Sequence, residues 1–552
     1  MHRRTCNRMA RIAACTVALI ALAMERQPLD AQVPVRPKLP PVQTRQFDNL
    51  AAGPYNRLVI RDAMVIPGHG GPPIGPYDLL IQGNVIADLR MVTVAALKEN
   101  TTARWTGDRV IEGRGMYVMP GMIDLHYHTR EAELPLEYTH YLKLAHGVTS
   151  GVPGADARTD EVQRQHDRAE RYEYLAPRMF PIWRWGRGTG TTLAEQEDPA
   201  QAPRIARAMK AAGAHVVDVG RGDVFWTFEL LTAVCQAVKA EGGITTFHLP
   251  PATTNVINAV DAARAGVTMI EHLYGYAEAA LPRQTQDFPR DYDYDNENHR
   301  FRQAARVWLD VGQDPRARER LLGQVVDSLI AYGATMLPTR VTYEGNRDLL
   351  RGFSLPWHEK YTHQALVDRN GPDVTLHAAH HWDWSSDDEY NWHYAFNLWS
   401  ELIHEFNRRG GRVAYGSDDN FQWATAGFSN IRELQLMRES GMHNLEVIQA
   451  ATYNSALTLG HSRLGLIHQG YLADLLIVDG NPAENFHYLY SFGAIRLGEN
   501  GRMYRTRGIV HTIKDGVVIE NSRVMARVEQ MVAESKKNAK PSIVTEPFRV
   551  RR

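Results

Sequence analysis

Met116-Tyr117-Val118-Met119-Pro120-Gly121-Met122-Ile123-Asp124-Leu125-His126-Tyr127-His128 is the stretch whose reading decides the fold. An apolar run enters a Pro-Gly pair and ends in two histidines one residue apart. In a β-strand alternate side chains share a face, so residues i and i+2 sit about 6.6 Å apart along it. Two imidazoles on one face at a strand exit can converge on a single ion. Alone, the pair reads equally well as two polar residues where a strand ends.

The strands that follow decide between the two. Short β-branched runs ending in polar residues recur at Gly147–Val152, Arg178–Trp183, His215–Val219, Gly243–His248, Val267–His272, Ala334–Thr339 and Arg412–Asp418. Helical stretches such as Pro203–Ala212 and Phe228–Ala240 lie between them. Counting the opening strand, eight βα units predict a (β/α)8 TIM-like barrel, with its active site at the C-terminal strand ends. The first strand ends in His126 and His128, the fifth in His248, the sixth in His272 and the eighth in Asp418. Each could be a structural strand cap. Together at one barrel mouth they are nitrogen and oxygen donors suited to Zn2+ or a similar divalent metal.

The rest of the chain frames that barrel, expected over 116–461. Runs at 57–60, 63–66, 77–82 and 85–89, and again at 473–480, 508–513 and 515–519, read as hairpin strands. Neither group closes a core alone, so 56–115 and 462–525 are expected to form a small composite β-sandwich domain with the barrel inserted in it. Residues 24–55 are Pro- and Gln-rich and read as a linker. Residues 526–552 read as a charged, helical or loose tail. Arg3, Arg4, Arg8 and Arg11 precede the apolar run Ile12–Met24, which marks 1–23 as a signal peptide and the mature protein as exported, periplasmic or extracellular. Once Cys6 and Cys15 leave with that signal, only Cys235 remains, so no internal disulfide can form. Its apolar surroundings predict a buried helix residue. The formal net charge of −1 excludes a bulk drive toward nucleic acid. No stable membrane insertion is expected after signal cleavage; a homo-oligomer stays open.

With these residues in hand, the chain resembles the amidohydrolase superfamily, in its imidazolonepropionase-like and prolidase-like branch. The likeness rests on Pro120-Gly-Met-Ile-Asp-Leu-His126-Tyr-His128, His146-Gly-Val-Thr149, Phe247-His248, Ile270-Glu271-His272-Leu273 and Gly416-Ser417-Asp418. Beyond these stand Ala451-Thr452-x-Asn454-x-Ala456 and Gly465-x-Ile467-x-x-Gly470-x-x-Ala473-Asp474-Leu475. The resemblance implies metal-dependent hydrolysis and leaves the substrate open. It also implies Asp418 as the group that takes a proton from the attacking water, and His272 is the imidazole expected to polarise the substrate carbonyl. A bound divalent ion would lower the pKa of its water toward 7.

The chain departs from that pattern once. Binuclear relatives place a carboxylated, metal-bridging lysine at the end of the fourth strand, where this sequence has Asp218. An aspartate is too short to replace that bridge. One ion on His126, His128, Asp418 and His248 is expected, with a weaker second position at His248, His272 and Asp218; Asp218 reads equally as a structural carboxylate. One or two ions per chain therefore remain open.

Long segments at about 275–328 and 342–408 interrupt the barrel and are expected to shape the pocket. The second holds Trp382, Trp384, Trp392 and Trp399, read as an aromatic lid or as packing of a helical insertion. Arg340, Trp382 and Tyr127 are the candidate substrate contacts. The expected reaction is hydrolysis of a small-molecule amide, a dipeptide or N-acyl amino acid. A lactonase or esterase, or a deaminase, is the alternative on this scaffold, and a non-catalytic metal- or ligand-binding protein a third reading. Deaminase relatives carry a glutamate three residues after the fifth-strand histidine, where this chain has Pro251.

Overall fold

The computed structural model describes residues 43–93, 95, 104–154, 159–220, 222–249, 256–281, 290–293, 296–371 and 380–539. The expected signal peptide and Pro251 lie outside them.

Strands from both ends of the chain build one sheet. β1 (Arg45–Phe47), β2 (Ala51–Gly53), β3 (Tyr55–Val65), β4 (Ile74–Gly83), β5 (Val85–Met91), β6 (Arg109–Glu112) and β7 (Tyr117–Pro120) come from the N-terminal side. β17 (Leu475–Asp479), β20 (Gly508–Lys514) and β21 (Val517–Glu520) come from the C-terminal side, where β18 (Ile495–Leu497) and β19 (Met503–Arg505) form a separate two-stranded sheet. The order is β1-β2-β21-β20-β17-β7-β3-β4-β5, with β6 on β3. The expected composite character is thus present, but as one ten-stranded mixed sheet where a sandwich was expected. Leu58, Ile60, Leu79, Ile81, Ile86, Val118, Leu475, Ile477 and Ile513 form its apolar core. Residues 45–47 and 51–53, expected in the linker, are strands: Ala51 pairs with Ile519 and Ala52 with Val518. An edge strand gains backbone hydrogen bonds without a long apolar run, so its composition looked like linker.

The inserted strands are parallel. β8 (Met122–Tyr127), β9 (Val148–Pro153) and β10 (Arg178–Met179) make a three-stranded sheet. β11 (Ile182–Arg184), β12 (Val216–Asp218), β13 (Ile244–His248), β14 (Met269–Glu271), β15 (Thr335–Leu337) and β16 (Arg412–Val413) follow in sequence order in a six-stranded one. Pro181 separates β10 from β11, having no N–H for the ladder; its carbonyl still accepts from His215 and Val216. Backbone bonds also run from Phe180 N to Gly151 O and from Leu125 N to Tyr415 O, both 2.9 Å. The result is a mixed α/β fold with two parallel sheets in its inserted part.

Helices fill the expected insertions. α1 (Leu136–Ala145) and α2 (Phe228–Ala240) follow the first and fourth expected strands. α3 (Glu297–Gln313), α4 (Arg340–Arg347), α5 (Ser386–Arg408) and α6 (Phe428–Glu439) come later. Trp392 and Trp399 on α5 are fully buried, Trp392 stacking on Tyr343 at 6.0 Å and on Trp384 at the same distance. These aromatics pack a helical insertion, the second of the two readings open for them. The tail includes α7 (Asn521–Lys536), which buries Val524, Val528 and Val532 at i, i+4 and i+8. Cys235 is buried in α2 as expected, and burial pushes its thiol up to about 12. Among the described residues no helix is long and apolar enough to cross a membrane.

Candidate metal centre

The polar strand ends meet. His126 lies within β8 and His128 just past it, their rings 5.3 Å apart. His248 ends β13 and His272 follows β14; their rings are 4.6 Å apart, and His126 is 5.2 Å from His272. Asp418 follows β16. Its Oδ1 lies 2.7 Å from His128 Nε2 and 3.3 Å from His126 Nε2, and its Oδ2 is 3.7 Å from His272 Nδ1. One donor atom each from His126, His272 and Asp418 falls within 4.8 Å of the others, as do His248, Glu271 and His272.

Two groups of convergent imidazole and carboxylate donors fit a divalent ion. His126, His272 and Asp418 are all buried, so the carboxylate has little water to satisfy it and needs a cation. Although burial opposes it, the facing His126 and His128 imidazoles hold the Asp418 carboxyl well below the usual carboxylate range. Burial drops the His272 imidazole to about 4, leaving it neutral and able to donate its lone pair.

Backbone strain clusters here. His272, Thr339 and Asp418 close three strands with φ of 64°, 48° and 47°. For non-glycine residues such conformations cost on the order of 1–3 kcal/mol each and persist where surroundings enforce them. Thr339 Oγ1 sits 2.6 Å from His272 Nδ1, and the Thr342 hydroxyl donates to the Asp418 carbonyl.

Glu271 is the residue the sequence did not offer as a ligand. Its Oε1 lies 3.0 Å from His126 Nδ1 and accepts from Thr246 Oγ1 at 2.5 Å. Burial would raise this carboxyl, but His126 beside it brings it below its ordinary value. Burial works against a charged His126, but Glu271 on Nδ1 and Asp418 facing Nε2 together hold its imidazole well above the ordinary value; a metal ion at Nε2 would take the place of that proton, with Glu271 left on Nδ1 as in many metal-binding histidines.

Asp218, the doubtful ligand, is buried but engaged elsewhere. Its Oδ1 accepts from the Gly220 N–H at 2.7 Å, and Oδ2 lies 3.5 Å from Arg184 Nε. Burial and the nearby Glu271 charge raise it to about 6. It belongs to neither donor group.

The three expected substrate contacts are placed away from the donors. Arg340 opens α4, and its guanidinium donates to the Leu436 carbonyl at 2.7 Å, the Phe396 carbonyl at 3.2 Å and Ser400 Oγ at 2.6 Å, stacking over Phe396. It ties α4 to α5 and α6. Tyr127 alternates with its histidine neighbours and so faces away, packing on Lys143 and His140. Trp382 donates to the Asn370 carbonyl at 2.8 Å and packs on Phe353. A cation that does reach the donors, among the described residues, is Arg300 on α3, whose Nη2 lies 3.2 Å from His248 Nε2.

Beneath the donors lies a buried charged network. Lys143 on α1, fully buried, donates to Asp124 Oδ2 at 2.7 Å, Ser417 Oγ at 2.9 Å and Asn430 Oδ1 at 3.1 Å, and pairs with Asp419. Ser417 N also donates to Asp124 Oδ1 at 3.0 Å. Asp418 is thus held between two residues anchored to one buried ammonium.

Comparison with known proteins bears on the fold. The amidohydrolase family model matches residues 400–519. A Xaa-Pro dipeptidase with bound methionine in its active site superposes with a TM-score of 0.54 at 19% identity, over 84% of this chain and 100% of its own. Bottromycin amidohydrolase gives 0.56 at 16%, over 87% of this chain and 91% of its own. An A. niger ochratoxinase gives 0.52 at 16%, over 85% and 96%. At these identities the likeness speaks for the fold. No curated protein sequence matches the chain.

Proposed function

We propose that this chain, an amidohydrolase-superfamily member by its family match and its structural neighbours, is a metal-dependent hydrolase cleaving a carbon–nitrogen bond in a small molecule. The convergence of one donor atom each from His126, His272 and Asp418 within 4.8 Å carries this reading. We take the two parallel sheets as arcs of one eight-stranded barrel, β10 and β11 being halves of its third strand. The bonds from Phe180 N to Gly151 O and from Leu125 N to Tyr415 O support that closure.

A divalent ion held by His126, His272 and Asp418, with His128 on Asp418, would supply a nucleophilic water at neutral pH and Lewis-acid character. This chain's residues do the rest. Asp418 is ionised at neutral pH and can accept the proton of the attacking water, then pass it to the leaving nitrogen. Glu271 keeps the His126 tautomer fixed. His272, neutral and buried, would hold the ion through one ring nitrogen while Nδ1 lies 2.6 Å from Thr339 Oγ1; with both nitrogens committed, the carbonyl-polarising role expected of it would fall to the Lewis acid it holds. The substrate we propose is a dipeptide, an N-acyl amino acid or a related small amide. In support, two of the similar folds are a dipeptidase and an amidohydrolase by name. The chain is further proposed to act after export, on the basic and apolar pattern of its first residues.

A panel of dipeptides, N-acyl amino acids and lactones, assayed with and without added zinc, tests this. Metal-dependent turnover of an amide is the expected result. Turnover of lactones alone would overturn the substrate class, and metal-independent turnover would overturn the mechanism.

A further inference from the structure

Arg300 stands where a second metal ion would be expected. It lies on the first turn of α3, within the long segment between β14 and β15, and its side chain is largely buried. Its Nη2 is 3.2 Å from His248 Nε2. A guanidinium carries only donors, so His248 must offer it a ring lone pair, the same pair a metal would take. Glu297 Oε2, 3.4 Å from Nη1, and the rings of Phe301 and Tyr274, 5.3 and 5.7 Å from the guanidinium carbon, hold the side chain in place.

The other donors of that second group are committed. Glu271 Oε1 already meets His126 Nδ1 at 3.0 Å and Thr246 Oγ1 at 2.5 Å. His272 belongs to both groups, so a second ion would have to share it with the first. Asp218 is turned to Gly220 and Arg184. The charges point the same way. Asp218, Glu271, Asp418 and Glu297 bring four negative charges when ionised, and Arg184 and Arg300 two positive ones. One divalent ion closes that balance; a second leaves an excess of two positive charges. Glu271, His272 and Asp418 are at most 5% exposed, so water would do little to screen it.

We propose that this chain is mononuclear, and that the Arg300 guanidinium supplies beside His248 the fixed positive charge a second ion gives in binuclear sites. The proposal rests on the hydrolase reading above. A substrate oxygen bearing negative charge would lie between the single ion and the fixed charge of Arg300.

Metal stoichiometry tests it without recourse to activity. Zinc content and zinc titration are measured by plasma mass spectrometry and calorimetry on the full chain, for the wild type and for Arg300→Lys, Arg300→Met, His248→Ala and Arg300→Met/His248→Ala. Circular dichroism checks each fold. The wild type is expected to hold one ion, unaffected by His248→Ala, and Arg300→Lys also one. Arg300→Met is expected to gain a second ion that the double variant loses. Two ions in the wild type, one of them lost in His248→Ala, would overturn the proposal, as would a folded Arg300→Met that stays at one ion throughout the titration. If Arg300→Met fails to fold, the wild type, His248→Ala and Arg300→Lys still decide the count. A wild type that binds no zinc would instead overturn the hydrolase reading itself.

Discussion

Replacing Glu271 by Gln should weaken metal binding without unfolding the protein. The carboxylate lies 3.0 Å from His126 Nδ1, and the two residues are 2% and 4% exposed, so solvent does little to weaken the contact. Glutamine keeps the size, and its amide can still meet Thr246. It lacks the charge that fixes Nδ1 as the protonated nitrogen and makes Nε2 a stronger donor. Loss of such a partner typically costs 10–100-fold in metal affinity, or about 1.4–2.8 kcal/mol at about 1.4 kcal/mol per tenfold. The upper half of that range is expected, because charge-assisted hydrogen bonds contribute roughly 1.5–3 kcal/mol. The assay is zinc affinity by competition with a chromophoric chelator, alongside a thermal melt. An affinity within about threefold of wild type in a folded variant, well short of the usual second-sphere loss, would refute the role given to Glu271.

Other consequences follow from the same contacts. Lys143→Met leaves Asp124 and Asp419 buried without their ammonium and should destabilise by about 3–5 kcal/mol, read by urea denaturation; a loss below about 1 kcal/mol, the range of an exposed ion pair, would show the network to be dispensable. His140 is buried and stacked on Tyr174 at 5.4 Å, and burial lowers it to about 3. The unfolded chain, with this imidazole near its ordinary 6.5, therefore binds the extra proton between those values. Stability from this group is complete above about 6.5 and falls as pH drops toward 3, by up to about 1.4 kcal/mol per unit. His140→Phe should make the acid-side loss shallower, and a melt-versus-pH profile parallel to wild type would contradict this. Cys235 should resist a thiol reagent at pH 8 until denaturant is added, since its thiol is buried and pushed up to about 12; prompt labelling of native protein would show that α2 opens.

Much of the centre was legible because strand geometry is periodic. His126 and His128 share a face by alternation, and His248, His272 and Asp418 were found by asking which residue ends each β-branched run. Glu271 was hidden by the same rule. Adjacent residues in a strand point to opposite faces, so Glu271 beside His272 should have faced away. The φ of 64° at His272 ends the regular strand there, and both side chains reach the same cluster. Arg300 was invisible for another reason: it comes from an insertion that no strand pattern places. Arg340 drew attention by its position after a strand end, yet its guanidinium is consumed by the carbonyls of α5 and α6. Lys143 could have been suspected, as a charge set among the apolar Tyr141, Leu142, Leu144 and Ala145, where a buried lysine must have acidic partners.

The account stands on the claim that His126, His272 and Asp418 hold one ion. Anomalous diffraction at the zinc edge, on crystals grown with zinc, measures this directly. The account predicts a peak bonded to His126, His272 and Asp418, with zinc–nitrogen distances of about 2.0–2.1 Å, and none beside Arg300. Density confined to other side chains, or none in crystals grown with zinc, would contradict it.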